Sequence, residues 1–113
     1  MNNRIANVKL LDNLLLQKND HFERILMKDI LFFKADADYC TVYTKLGRFD
    51  YAVELTKLEP QLPTNLFMRV HKNYVVHVNA ISGFEGRFLY ISENKIPVSK
   101  QYQDDVLKVF RSI

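Results

Sequence analysis

The chain has one cysteine, three glycines and three histidines among its 113 residues. A single cysteine excludes an internal disulfide and a cysteine-rich zinc site. So few glycines leave little material for a phosphate-cradling loop, and no Walker, Gly-x-Gly-x-x-Gly or Gly-x-Ser-x-Gly pattern occurs. His21, His71 and His77 do not fall at the spacings of a zinc site, and Cys40 is distant from them. No apolar run approaches the roughly 18 residues that a membrane span needs, and no secretory signal pattern opens the chain. Repeats, low-complexity segments and Gly/Ser linkers are missing too. These absences exclude collagen-like, membrane-spanning and disulfide-knot classes. They predict a cytoplasmic domain with no catalytic constellation, no metal and no cofactor.

What is present is ordinary for a globular chain: 48% hydrophobic and 26% charged residues. At roughly 100–200 residues per domain, the length allows one domain. Met1 to Leu16 carries Ile5, Val8, Leu11 and Leu15 at helical spacing, although Leu14-Leu15-Leu16 also suits the opening of a strand. Residues 1–13 read as a linker or N-terminal helical extension and 14–113 as the domain. Lys18-Asn19-Asp20 is a turn signal, followed by a short strand from Phe22 to Met27. Ile30–Lys34, Tyr39–Thr44 and Arg48–Val53 continue as an antiparallel meander. Its turns are Asp36-Ala37-Asp38 and Lys45-Leu46-Gly47. Leu55, Leu58 and Leu62 predict a short middle helix that Pro60 interrupts.

Phe67–Val70 and the run from Val75 to Ile81 flank a polar break at His71-Lys72-Asn73-Tyr74. Gly83 and Gly86 suggest a turn around Phe84-Glu85, before a strand at Arg87–Ser92. Pro97 marks an edge strand or a strand start. From Gln101 the pattern is helical, with Tyr102, Val106, Val109 and Phe110 on one face and Ser99 placed as an N-cap. The expected fold is mainly β: small antiparallel sheets with a short middle helix and a C-terminal helix. Cys40, inside a strand, reads as a small core residue.

The formal charge is +3, and its placement is uneven. Met1 to Thr56 holds eight basic and eight acidic residues. Arg69 to Lys100 holds five basic residues (Arg69, Lys72, Arg87, Lys95, Lys100) against Glu85 and Glu93. Lys72-Asn73 and Lys100-Gln101 fall at element ends. There, Lys can meet phosphate or guanine, and Asn or Gln can pair with the adenine edge. Ordinary solvated turns would explain the same residues.

The segment Arg69-Val70-His71-Lys72-Asn73-Tyr74-Val75-Val76 resembles the Arg-Val-His-Arg-Ser-Tyr segment and following apolar run of the LytTR-type DNA-binding domain. Lys95-Ile96-Pro97-Val98-Ser99-Lys100 is similar to that family's closing Ile-Pro-Val-Ser-Arg segment. Asp29-Ile30-Leu31-Phe32-Phe33, followed by Tyr39 and a β-rich strand, is a third match. The Leu55–Leu62 helix with Pro63 is a fourth. Any one motif is weak; four in order and spacing, over Leu14 to Ile113, are specific.

The resemblance implies small antiparallel sheets in an elongated arrangement. It implies sequence-specific binding of double-stranded DNA through loops in the major groove, at direct repeats in promoters. Binding as a homodimer on DNA follows from the same family habit. So does a receiver domain of a two-component response regulator, if the chain is a fragment. By position, three loops should face DNA: Asp36–Asp38 leading to Tyr39, His71-Lys72-Asn73, and Ser99-Lys100-Gln101. Lys72 replaces the commoner Arg, keeping the charge but losing the bidentate fork. Asn73 stands for the commoner Ser, and His77 for Asn. Arg69 is either an ion-pair partner at a strand end or a phosphate contact. His71 orients the loop, His77 is a satisfied polar group in the core, and Tyr74 packs.

Two other classes fit parts of the sequence. A single-strand binder of OB type needs an aromatic platform, for which Tyr39, Tyr43, Phe49 and Tyr51 are candidates. A protein-interaction module would use the leucine-rich N-terminal stretch.

Overall fold

The computed structural model describes residues 13–111. Among these residues, ten strands form three antiparallel sheets. Strands β1 (Asn13–Lys18) and β2 (His21–Leu26) make a hairpin around Asn19-Asp20. Where the predicted N-terminal helix overlaps the described residues, the chain is therefore β1. The remainder of that helix reading lies outside them. In β1, Leu14 and Leu16 turn inward and Leu15 outward, the period of a strand.

The central sheet has five strands in the order β5-β4-β3-β7-β6. They are β3 (Ile30–Asp36), β4 (Tyr39–Thr44), β5 (Gly47–Tyr51), β6 (Phe67–His71) and β7 (Tyr74–His77). Helix α1 (Leu55–Leu58) and a 3-10 turn at Glu59–Gln61 connect β5 to β6. Pro60 sits in the first turn of that 3-10 segment, where a missing N–H costs nothing. The last sheet has the order β10-β9-β8, from β8 (Gly83–Phe84), β9 (Phe88–Ile91) and β10 (Asn94–Pro97). Pro97 lies on its edge strand, as expected. Phe84 is a strand residue rather than the tip of a turn. The reversal falls later, at Gly86-Arg87, where Gly86 takes φ +93°. A 3-10 turn at Lys100–Tyr102 then leads into α2 (Gln103–Arg111).

The centre of this sheet, at β3 and β7, is covered on both faces, while β5 is largely exposed, and this division explains its sequence. Phe33, Cys40, Val42, Tyr51, Phe67 and Val75 face a first core closed by the β1–β2 hairpin and Leu55, Leu58 and Leu62. Phe32, Val70 and Val76 face a second core with Leu89, Ile91, Ile96, Val98 and Val106. Strands β3 and β7 thus carry consecutive apolar residues, Phe32-Phe33 and Val75-Val76, one for each core. Strand β4 alternates instead: Cys40, Val42 and Thr44 inward, Tyr39, Thr41 and Tyr43 toward the other face. Tyr51 seals the hairpin to the sheet. Its hydroxyl donates to Glu23 Oε1 at 3.0 Å, and burial followed by that carboxylate pushes its pKa up to about 12.

Phe33→Ala should cost about 3–5 kcal/mol, the scale for a buried aromatic. Leu46→Ala, in the exposed β4–β5 turn, should stay within about 0.5 kcal/mol. Urea unfolding of both variants checks the pair; similar midpoints would contradict the two-core description.

Candidate nucleic-acid interface

The pairing of β3 with β7 matches Phe32 to Val76, Phe33 to Val75 and Lys34 to Tyr74. This register carries the β3–β4 turn and the β6–β7 turn to the same end of the sheet. One further bond ties them: the Ala35 N–H donates to Asn73 O at 2.8 Å. The third predicted segment is drawn to the same end, since the Ser99 N–H donates to Val70 O at 2.9 Å. Three segments far apart in sequence therefore converge.

His71, Lys72, Ser99, Lys100 and Gln101 line one shallow groove there. The segment from Ser99 is not an open loop as expected: Lys100 and Gln101 belong to a 3-10 turn. Ser99 occupies the N-cap position, but its side chain makes no capping bond. Its carbonyl accepts from the Tyr102 N–H at 2.9 Å, so the turn is fixed through the backbone.

The His71–Asn73 tip is held by side chains. Nδ1 of His71 accepts from the Asn73 N–H at 3.1 Å, which requires Nδ1 without its proton. Burial first, then the Lys72 and Arg69 charges, lower the pKa of His71 from its ordinary 6.5. Arg69 grips the tip from behind. Its Nε donates to His71 O at 2.8 Å, its Nη2 to Lys72 O, and its Nη1 to Glu59 Oε1 at 2.5 Å. Its side chain is only 13% exposed.

Tyr39 is 54% exposed and stands apart from that groove. It lines a second depression with Lys34, Asp36, Thr41, Tyr43, Arg48 and Asp50, on the open part of the sheet's second face. Tyr43 stacks on Phe32 at a centroid distance of 4.2 Å, and Thr41 donates to Asp50 at 2.6 Å. The sequence pattern also held a signal for Lys34 and Arg48, which were not among the expected site residues. That signal is alternation: next to Phe33 and Phe49, which face the first core's side, each must point to the other face. Conversely, the basic surplus of 69–100 is split in space. Lys95 lies over the Phe88 ring at 4.2 Å, in the small sheet.

The four aromatics considered as a stacking platform do not form one. Tyr39 and Tyr43 lie on one face of the sheet. Phe49 and Tyr51 lie on the other, paired with Val42 and Cys40 of the first core. Cys40 is fully buried, and desolvation pushes its thiol up to about 12. His77 is buried, its Nδ1 bonded to Ile30 O at 2.8 Å and its ring stacked on Phe67. Its Nε2 is buried without a hydrogen-bond partner among the described residues, so it is only half satisfied. Tyr74 packs against the second core. Among the described residues, no group of three or more His, Cys, Asp or Glu side chains could hold a metal ion. Among them, too, no helix is long and apolar enough to cross a membrane.

The fold is similar to that of a solved structure, the LytTr DNA-binding domain of a putative methyl-accepting/DNA response regulator from Bacillus cereus. It superposes with a TM-score of 0.73 over 88% of this chain and 96% of that one, at 20% identity. The fold is thus shared with a small, β-rich domain of known structure. The family profile of the LytTr DNA-binding domain matches residues 20–111, and this chain belongs to that family. Curated relatives are transcriptional regulators. The heme-containing CO-sensing regulator RcoM 2 of Paraburkholderia xenovorans is 36% identical over 50 residues, 44% of this chain and 19% of that protein. The CO-responsive regulator RcoM of Rhodospirillum rubrum is 31% identical over 58 residues, 51% of this chain and 25% of that protein. The chain spans about a fifth to a quarter of the length of these relatives.

A His pKa lowered in the folded state has a definite sign. The neutral form holds the tip, so its contribution is complete above the unfolded value of 6.5 and is lost as pH falls through the lower native pKa. The Asn73 amide shift, followed by NMR, should titrate with a midpoint below 6.5. A midpoint at or above that value would remove the acceptor role of Nδ1.

Proposed function

We propose that this end of the central sheet reads duplex DNA in the major groove as the output part of a transcriptional regulator. The observation that carries the proposal is the convergence of three segments through Ala35 N–Asn73 O and Ser99 N–Val70 O. In this reading residues 14–113 form the binding unit and 1–13 a linker or N-terminal extension, with Asn13 already in β1. It acts by binding, without catalysis or cofactor.

The roles follow from chemistry and position. Lys72 and Lys100, which both line the groove, meet phosphates or guanine edges. Asn73 and Gln101 offer the amides that pair with adenine. Ser99 fixes register on a phosphate oxygen. Tyr39, with Lys34 and Arg48 on the adjoining face, extends the footprint along the backbone. His71 orients the tip. Phosphate contacts dominate the affinity and make it fall steeply with salt. Binding in pairs at promoter direct repeats, behind a receiver or sensor domain, is the regulatory setting this reading favours. A single-strand binder is disfavoured by the split of the four aromatics between two faces.

The Lys72→Ala, Lys100→Ala double variant should weaken binding by about 1–3 kcal/mol for each good base pairing it removes. Its slope of log affinity against log salt should fall by about 0.9 for each phosphate no longer neutralised. Fluorescence anisotropy on a duplex enriched from a random library measures both. A folded double variant with unchanged affinity would reject the groove as the site. Asn73→Ala should change base preference at one or two positions more than it weakens binding to random duplex. A selection logo identical to wild type would deny Asn73 a reading role.

A further inference from the structure

A turn that reads bases must present its side chains in one fixed geometry. The His71–Asn73 tip has no glycine and no proline to impose one. Two backbone carbonyls of the tip, those of His71 and Lys72, converge on a single guanidinium from β6. That guanidinium is itself anchored outside the hairpin, on Glu59 in the 3-10 turn after α1. The tip thus has a strut running to a different element.

We infer that Arg69 is a positioning residue. Held by Glu59, it sets the shape of the His71–Asn73 tip and touches no nucleotide itself. The inference rests on the assignment of that tip as a reading segment. Arg69 spends Nε, Nη1 and Nη2 on protein acceptors, and its side chain is mostly buried. A lysine cannot replace it, because one ammonium on a flexible stem does not present donors in three fixed directions. Glu59 acquires a role that simple electrostatics would not give it. A carboxylate beside a DNA-binding end ought to weaken DNA binding. As the anchor of Arg69, it supports it.

This difference in sign supplies the test. The 113-residue chain and its Glu59→Ala and Arg69→Lys variants are titrated with the enriched duplex and with random duplex at one salt concentration. Thermal melting is measured alongside. Removal of one partner from a charged hydrogen bond predicts a loss of about tenfold in affinity for the enriched duplex. Affinity for random duplex should hold within about twofold, since phosphate attraction needs no fixed tip. Loss of the strut should also shift the Asn73 amide resonance in both variants. If Glu59→Ala tightens both duplexes in parallel, Glu59 is only a repulsive charge and the inference falls. If Arg69→Lys, which keeps the charge, holds both affinities at the wild-type level, the fork is not needed and the inference falls. Should Arg69→Lys fail to fold, Glu59→Ala decides alone, because it leaves the guanidinium in place. A wild-type chain that enriches no duplex would instead overturn the DNA-reading assignment on which this rests.

Discussion

The pairing of β3 with β7 is the constraint on which the rest depends. These strands are distant in the chain, and the two hydrophobic cores bring them together. Each core claims alternate residues of both strands: Phe33 and Val75 on one side, Phe32 and Val76 on the other. A slip of one residue would swap the two sets between faces and between cores. With both faces apolar, periodicity alone does not forbid that slip. The flanking residues do. A slip would carry the exposed Lys34 toward a core position and would break the bonds from His77 Nδ1 to Ile30 O and from the Ala35 N–H to Asn73 O. These neighbours therefore set the register, and the register sets which hairpin tips lie side by side.

Local chemistry made much of this fold legible. Strand β4 has the bounds that its β-branched and aromatic residues predict, and the turns at Asn19-Asp20 and Lys45-Leu46 fall on polar or glycine-flanked positions. Two misreadings have local causes as well. Leu11 and Leu15 sit at helical spacing, but Leu15 belongs to a strand whose period is 2, and a short apolar run suits either period. Gly83 reads as a turn residue because glycine punctuates loops. Here it is a strand residue paired with Tyr90, and a Cβ would meet that ring at ordinary contact distance, 3.4 Å, so neither a turn nor packing requires the glycine.

The candidate interface was legible in part. Polar residues at element ends named the segments around His71 and Lys100. That the segments meet could not be read, since the bonds that join them run between backbone atoms, Ala35 to Asn73 and Val70 to Ser99, which every sequence possesses. The setting of Arg69 was hidden for the same reason: two of its three acceptors are carbonyls. Net charge misled more than it helped. Of the cations between 69 and 100, Arg69 is turned inward and Lys95 serves a ring, while Lys34 and Arg48 come from a stretch with no surplus at all.

The scarcity of glycine has a structural counterpart in this interface. Outside glycine, positive φ occurs among the described residues at Asn19, Ala37 and Ser92, each in a hairpin turn. Ala37 lies in the β3–β4 turn beside the candidate site, where an alanine at φ +55° carries strain of about 1–2 kcal/mol. The neighbouring tip takes another route. Lys72 and Asn73 keep negative φ, and Arg69 and His71 supply bonds that satisfy its carbonyls and an N–H. A glycine-built turn would be easier to close, but it would carry no side chain at its tip. Shaping the turn with side chains from behind leaves each forward position free to carry a lysine or an amide. The ordering cost is met during folding, so less remains to be met on binding.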